Sequence, residues 1–272
     1  LFLDTMPLDV DYLPPIIRYR EQEQQHIARC IQPLLQNRSG KNVLVTGAPG
    51  IGKTVSVKAV LDQMENEAPS IVTLYVNCWK KDTSHKVALE LCDQLGFKFV
   101  QHRDTSDLFK EIARLLNKKC AVIVLDEVDM LTDQQVLYTL MEEVYRKTLI
   151  FITNNVSWFA GVDDRVRSRL LPERVEFRPY NATEIYGILD ERVKYAFVSG
   201  VFSQEAFLMV VDKTTEAGDV RVGLRLLRES GEAAEEKASR TILPEHTELV
   251  IQKFGVVKKK DRQLLTDYEG YL

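Results

Sequence analysis

The sequence predicts an α/β chain, a doubly wound parallel five-stranded sheet followed by a small all-helical lid domain. Three observations carry that prediction. Short apolar runs alternate with helical patterns; a glycine-rich loop joins the first run to a helix; and after "FRPYNAT", residues 177–183, apolar residues recur only at helical spacing. The expected layout is an N-terminal segment over 1–19, the sheet domain over 20–180, the helical domain over 181–257 and a basic tail or linker over 258–272.

The strands come in order. Val43–Thr46, Ile71–Val76, Ala121–Leu125, Leu149–Thr153 and Val175–Phe177 each read as a short buried strand with helices between them. Continuous apolar runs of this length suit strands buried on both faces, as in parallel sheets. Asn181 to Thr183 is a plausible cap and boundary. Beyond it, Ile185, Ile188, Leu189, Val193, Ala196 and Phe197 recur at helical spacing, as do Ala206, Phe207, Val210 and Val211, and again Val220, Leu224 and Leu227.

Composition narrows the functional classes. The 272 residues are 45% hydrophobic and 28% charged, values typical of a globular protein. With 36 basic and 40 acidic residues the formal charge is −4, so any nucleic-acid contact must be local. Cys30, Cys78, Cys92 and Cys120 contain no C-x-x-C pair, which argues against a structural zinc site or a disulfide framework and for a reducing, cytoplasmic compartment. No long apolar run suggests a membrane partner. The chain begins at Leu1, so the gene product is expected to extend beyond the residues given.

The loop "GAPGIGKT", Gly47 to Thr54, fits G-x-x-x-x-G-K-[ST] between a strand and a helix. Its glycines let backbone N–H groups close on phosphate oxygens, at a helix N-terminus whose dipole favours an anion. Gly47, Ala48, Pro49, Gly50, Ile51, Gly52, Lys53, Thr54 and Val55 are therefore expected to bind ATP or ADP. Lys53 would neutralise the β- and γ-phosphates and the Thr54 hydroxyl would ligate Mg²⁺.

In "AVIVLDEVDML" an apolar strand delivers Asp126 and Glu127 at its carboxyl end, where α/β sheets place their ligands. Asp126 is expected to hold the Mg²⁺ hydration shell and Glu127 to polarise the attacking water. Asp129 reads as a helix cap or a solvated residue. "LIFITNN" ends in Asn154 and Asn155, either facing the phosphates or forming a turn. "DDRVRSRLLPE" concentrates Arg165, Arg167 and Arg169, one of which could stabilise phosphoryl-transfer charge across a subunit boundary.

Together these stretches, with "GDVRVGLRLLRESGEAAE" in the helical part, resemble an AAA+ ATPase. "YLPPIIRYREQEQQHIARCI", "LYVNC", "DDRVRSRL" and "VEFRPYNATEIYGIL" further resemble archaeal replication initiators of the origin-recognition and cell-division-control type, over roughly residues 9 to 255. The resemblance implies Asn154 as first sensor, Arg221 as second sensor and Arg169 as a finger acting in trans. Ile16, Ile17 and Arg20 would line the adenine pocket. The stretch from Trp79 to Thr105 sits where initiators carry a DNA-contacting helical insertion, which Lys80, Lys81 and Lys86 would suit; an ordinary solvated helix pair is the other reading. Asp164 stands where the family often has proline, and Arg169 where archaeal members often have a small residue, so the finger stays open among the three arginines. Members continue into a winged-helix domain, so the sequence reads as either a truncated piece or a shortened relative, and Lys258, Lys259 and Lys260 as a linker or a charged tail.

The implied function is an ATP-dependent initiator switch whose slow hydrolysis controls binding of double-stranded origin DNA and loading of a replicative helicase. Other initiator subunits and self-association through the ATP site are the further partners implied. A clamp-loader or transposition-helper type of AAA+ subunit, or a signalling ATPase serving as an interaction platform, are the rival readings.

Overall fold

The computed structural model describes residues 1–98, 100 and 103–253, and these form two compact units: Ile17–Arg178, and Leu1–Ile16 together with the chain from Pro179 onward. The expected tail over 258–272, with Lys258 to Lys260, lies outside the described residues, as does the end of the expected helical domain.

In the first unit, helix α1 (Glu21–Ile31) leads through a 3₁₀ turn to strand β1 (Val43–Thr46), then α2 (Lys53–Glu67), β2 (Ile71–Asn77), α3 (Ser84–Gln94) and α4 (Thr105–Leu116). After these come β3 (Cys120–Asp126), α5 (Gln135–Glu143), β4 (Lys147–Thr153), α6 (Asp164–Leu170) and β5 (Glu173–Glu176). The five strands form one parallel sheet in the order β2-β3-β4-β1-β5. The last strand starts two residues earlier than its apolar centre implied and excludes Phe177, because β5 is a half-exposed edge strand that carries charged residues around Val175.

Alternation along the strands divides the core into two layers. Leu44, Ile123, Leu125, Leu149 and Phe151 face one side and pack with α3, α4, α5 and α6. Val43, Val45, Val122, Val124, Ile150 and Ile152 face the other and pack with α1 and α2. Each helix offers its stripe: Ile27, Cys30 and Ile31 on α1; Val57, Val60 and Leu61 on α2; Leu108, Phe109, Ile112 and Leu116 on α4. Burying each such side chain stabilises the fold by about 1.5–3 kcal/mol. In the segment with Lys80, Lys81 and Lys86, Val87, Ala88, Leu91 and Cys92 sink helix α3 into the sheet core.

Register sets up the site. Thr46 at the end of β1 pairs with Thr153, and Asp126 at the end of β3 pairs with Ile152, so three strands finish level at one edge.

The second unit is helical: α7 (Ala182–Ala196), α8 (Gln204–Ala217), α9 (Val220–Glu236) and a helical run over 244–253. Asn181 caps α7 in a reciprocal box, accepting from the Glu184 N–H while the Glu184 carboxylate accepts from its own. Leu189, Phe197, Phe207, Val210, Leu226 and Leu227 form its core. Of residues 1–19, expected to be a separate segment, Leu1–Ile16 are part of this unit. Leu3 donates to the Ala196 carbonyl, Phe2 stacks on Phe197 at 4.7 Å, and Arg192 donates to the Pro7 carbonyl at 3.1 Å.

Candidate nucleotide site

The glycine-rich loop turns sharply because its backbone leaves the regions open to side chains. Gly47 has φ +146°, and a Cβ there would lie 2.5 Å from the Phe177 carbonyl oxygen. Gly52, at φ +91°, is the N-cap from which α2 starts, so Lys53 and Thr54 are its first residues. Ile51 buries its side chain in the core, and its carbonyl is taken by Arg20.

Lys53 is almost wholly buried, at 6% exposure, which for an ammonium demands partners. It donates to the Gly47 carbonyl at 2.7 Å, the Ala48 carbonyl at 2.6 Å and Asn154 Oδ1 at 2.7 Å. The lysine and the asparagine expected to meet the same phosphates are thus already joined. Asn155 is not part of this: its Oδ1 accepts from the N–H and hydroxyl of Ser157, closing a turn.

Asp126, 2% exposed, is fixed at both oxygens. Oδ2 accepts from Thr54 Oγ1 at 2.7 Å and from Tyr75 Oη at 2.6 Å, and Oδ1 accepts from the Glu127 N–H at 2.8 Å. Glu127 sits at φ 52°, in the left-handed region that a glutamate adopts at a cost of about 1–2 kcal/mol, and this turns the chain abruptly off β3. Asp129 is no helix cap, and its carboxylate is engaged by a hydroxyl. Half-buried within the 3₁₀ turn, it accepts from Thr153 Oγ1 at 2.6 Å and so ties the end of β3 to the end of β4.

The electrostatics at this edge are negative. Burial and then the charges of Asp126, Glu127 and Asp129 push the Cys78 thiol up to about 12. Burial and the Asp126 carboxylate likewise hold the Tyr75 phenol protonated far above its usual range, so it acts as a donor. A hydroxyl and a carboxylate side by side, in a field that favours a cation, are hard oxygen donors of the kind that suits Mg²⁺ completed by phosphate and water. Thr54 and Asp126 therefore fit the expected ion.

Arg20, expected to line a base pocket, is fully buried and clamps backbone. Its guanidinium donates twice to the Ile51 carbonyl, at 3.2 and 2.9 Å, and once to the Arg178 carbonyl at 2.6 Å; it pairs with Glu23 at 2.9 Å and lies 5.1 Å over Phe177. Ile17 is buried, whereas Ile16 is 60% exposed and belongs to the helical unit. Arg221 also belongs to that unit, one residue inside α9, where Asp219 holds its guanidinium through both carboxylate oxygens.

On α6, Arg169 pairs with Glu142 and Arg167 with Asp164 and the Ala160 carbonyl. Arg165 is the exposed member of the cluster whose guanidinium has no partner among the described residues. Lys81 pairs with Glu90 and Lys86 with Asp82, leaving Lys80 beside the exposed Trp79 without an acidic partner among the described residues. Sequence reasoning missed Tyr75, the Thr153 partner of Asp129 and the backbone partners of Arg20. The available signal for Tyr75 was a hydroxyl-bearing aromatic two residues from the carboxyl end of its strand.

Residues 36–155 match the family described as AAA domain, and residues 186–250 the Cdc6 AAA+ ATPase-type lid domain. The chain is 30% identical over 274 residues to an ORC1-type DNA replication protein 2 of Methanothermobacter thermautotrophicus, covering 94% of this chain and 71% of that protein. It is 34% identical over 267 residues to the protein of that name from Methanosarcina mazei, covering 91% and 70%. Among solved structures, the Aeropyrum pernix ORC1 protein in complex with DNA matches at 28% identity with a TM-score of 0.84, over 93% of this chain and 70% of that one.

Proposed function

We propose, from the premise that this chain belongs to the family of ORC1-type DNA replication proteins, that it is an ATP-driven initiator switch whose slow hydrolysis resets its binding to origin DNA and its part in helicase loading. The observation that carries this reading is the convergence of Lys53, Asn154, Thr54, Asp126 and Glu127 at one edge of the parallel sheet. ATP would draw the Lys53 ammonium off the Gly47 and Ala48 carbonyls onto its β- and γ-phosphates. Thr54 and Asp126 would hold Mg²⁺, which when bound offsets charge on the phosphate oxygens. Asn154, released from Lys53, would be free to sense the γ-phosphate.

Glu127, turned off the strand end by its left-handed backbone, is the residue we assign to polarise the attacking water. Arg221 keeps the second-sensor role in this proposal, and the trans finger is sought among Arg165, Arg167 and Arg169. Double-stranded DNA is the partner proposed for the exposed Trp79–Lys80 turn.

The test separates binding from chemistry. Lys53→Ala should abolish nucleotide binding in calorimetric titration. Glu127→Gln should bind ATP normally and lower single-turnover hydrolysis by on the order of 10² to 10⁴. Hydrolysis by Glu127→Gln at the parental rate would overturn the assignment. Duplex binding that is indifferent to ATP against ADP would move weight to the loader or signalling-platform readings.

A further inference from the structure

We propose that Tyr75 is a positioning residue for the metal side of this site: it orients the Asp126 carboxylate, and Gln94 fixes Tyr75 from the open edge of the sheet. The proposal rests on the reading that Asp126 serves the ion.

Tyr75 lies on β2, the outermost strand beside β3. In the register of that pair it sits opposite Val124, so Asp126 is two residues further along the same face of the sheet. The ring spans this diagonal and brings its hydroxyl to 2.6 Å from Asp126 Oδ2. A phenol that merely needed a partner could take any acceptor along the strand. This one is held from two neighbouring elements while its hydroxyl donates to Asp126 Oδ2.

The first hold is at the backbone. As an edge strand, β2 leaves the N–H and carbonyl of Tyr75 facing outward, and the Gln94 amide at the end of α3 takes both: Oε1 accepts from the N–H at 3.1 Å and Nε2 donates to the carbonyl at 2.8 Å. That two-bond ring is what a neighbouring strand would supply, delivered by one side chain at one residue. The second hold is on the ring, where the Lys58 ammonium of α2 lies 4.7 Å from its centre. Lys58 is one helical turn beyond Thr54, so the same face of α2 presents the Thr54 hydroxyl and steadies the ring whose hydroxyl shares its acceptor.

The shared acceptor gives Tyr75 its role. Thr54 and Tyr75 both donate to Oδ2, and a Thr54 hydroxyl turned toward an ion leaves Tyr75 as the side-chain donor holding that oxygen. Partners of this outer kind set ligand orientation and typically account for about 10–100-fold in metal affinity.

The test titrates Mg²⁺ into the protein with fluorescent mant-ADP, beside a metal-free arm in EDTA. Tyr75→Phe removes one hydroxyl and keeps the ring under Lys58. It should raise the Mg²⁺ concentration for half-maximal effect about tenfold while leaving mant-ADP affinity in EDTA within about twofold of the parent. Gln94→Leu should give a smaller shift of the same kind, about threefold. Unchanged Mg²⁺ dependence in Tyr75→Phe, or an equal loss of affinity with and without metal, would overturn the proposal. Should Tyr75→Phe fail to fold, Gln94→Leu decides it: a metal-specific shift supports the role, and none refutes it. Asp126→Asn isolates the premise. If it leaves the Mg²⁺ response intact, the metal reading of Asp126 falls and this proposal with it; a response lost in Asp126→Asn but kept in Tyr75→Phe refutes the positioning role alone.

Discussion

Replacing Arg20 by alanine should both destabilise the sheet unit and loosen its phosphate loop. The side chain is fully buried and gives two hydrogen bonds to the Ile51 carbonyl, one to the Arg178 carbonyl and an ion pair to Glu23, whose side chain is 15% exposed. Alanine strips Ile51 and Arg178 of these donors, at about 1–3 kcal/mol for the buried Ile51 carbonyl left unsatisfied. It also leaves a largely buried carboxylate alone and opens a void under Phe177. Because the contacts are neighbours they do not sum freely, and the expected loss is about 3–5 kcal/mol, the scale for removing one partner of a buried pair. For a unit spanning Ile17–Arg178, about 2–4 °C per kcal/mol puts the fall in Tm at about 10 °C. Arg20→Lys keeps the charge but cannot reproduce the fork on Ile51, so it should recover less than half. Thermal unfolding by circular dichroism measures this, and mant-ADP titration follows the loop. Arg20→Ala should bind at least about tenfold more weakly, whereas Glu23→Gln, which touches the guanidinium and not the loop, should bind as the parent does. A melting point within about 2 °C of the parent, or full recovery by lysine, would refute the clamp.

For the finger, Arg165→Ala should abolish any rise in hydrolysis with protein concentration more completely than Arg169→Ala, since Arg169 is engaged by Glu142; partial rescue on mixing the sensitive variant with Lys53→Ala would mark action in trans, and no rescue would exclude it. In duplex binding followed by anisotropy across a salt series, Lys80→Ala should remove about 0.9 from the slope of log affinity against log salt and account for most of the effect of a Lys80, Lys81 and Lys86 triple substitution, because Lys81 and Lys86 are paired; a slope indifferent to Lys80 would take this turn out of the DNA account. Burial pushes Lys147 down to about 8 from an ordinary 10.5. It is charged in both states below pH 8, but between about 8 and 10.5 the unfolded chain binds a proton that the folded one has lost, so stability should rise with pH across that window; urea midpoints of the parent should gain on those of Lys147→Met there, and parallel curves would refute the shift. All four cysteines are buried, so none should alkylate with iodoacetamide until the protein unfolds, and labelling of the native chain would contradict that burial.

The sequence by itself determined the parallel sheet, its helices and the residues of the phosphate loop. Those features are local: a run of Val, Ile and Leu buried on both faces needs no knowledge of its neighbours to read as a parallel strand, and a glycine-rich turn ending in Lys-Thr before a helix carries its chemistry in its spacing. The Asn181 cap was legible for the same reason. The tertiary structure alone decided everything that depends on which distant groups meet. Arg20 reaches the Ile51 carbonyl because the chain's entrance to the sheet unit and its exit at Arg178 converge on one turn. Asp129 is drawn to Thr153, and Asn155 to its own turn while Asn154 takes Lys53, because strands β3 and β4 end level. Pairing with Glu142 and Asp164 singled out Arg165 within a run of similar arginines. Tyr75 became part of the site only when β2 was laid beside β3 in a register that puts Asp126 within reach of its hydroxyl. A hydrogen bond is fixed by distance and angle between groups tens of residues apart, and spacing along one strand holds no record of the strand beside it.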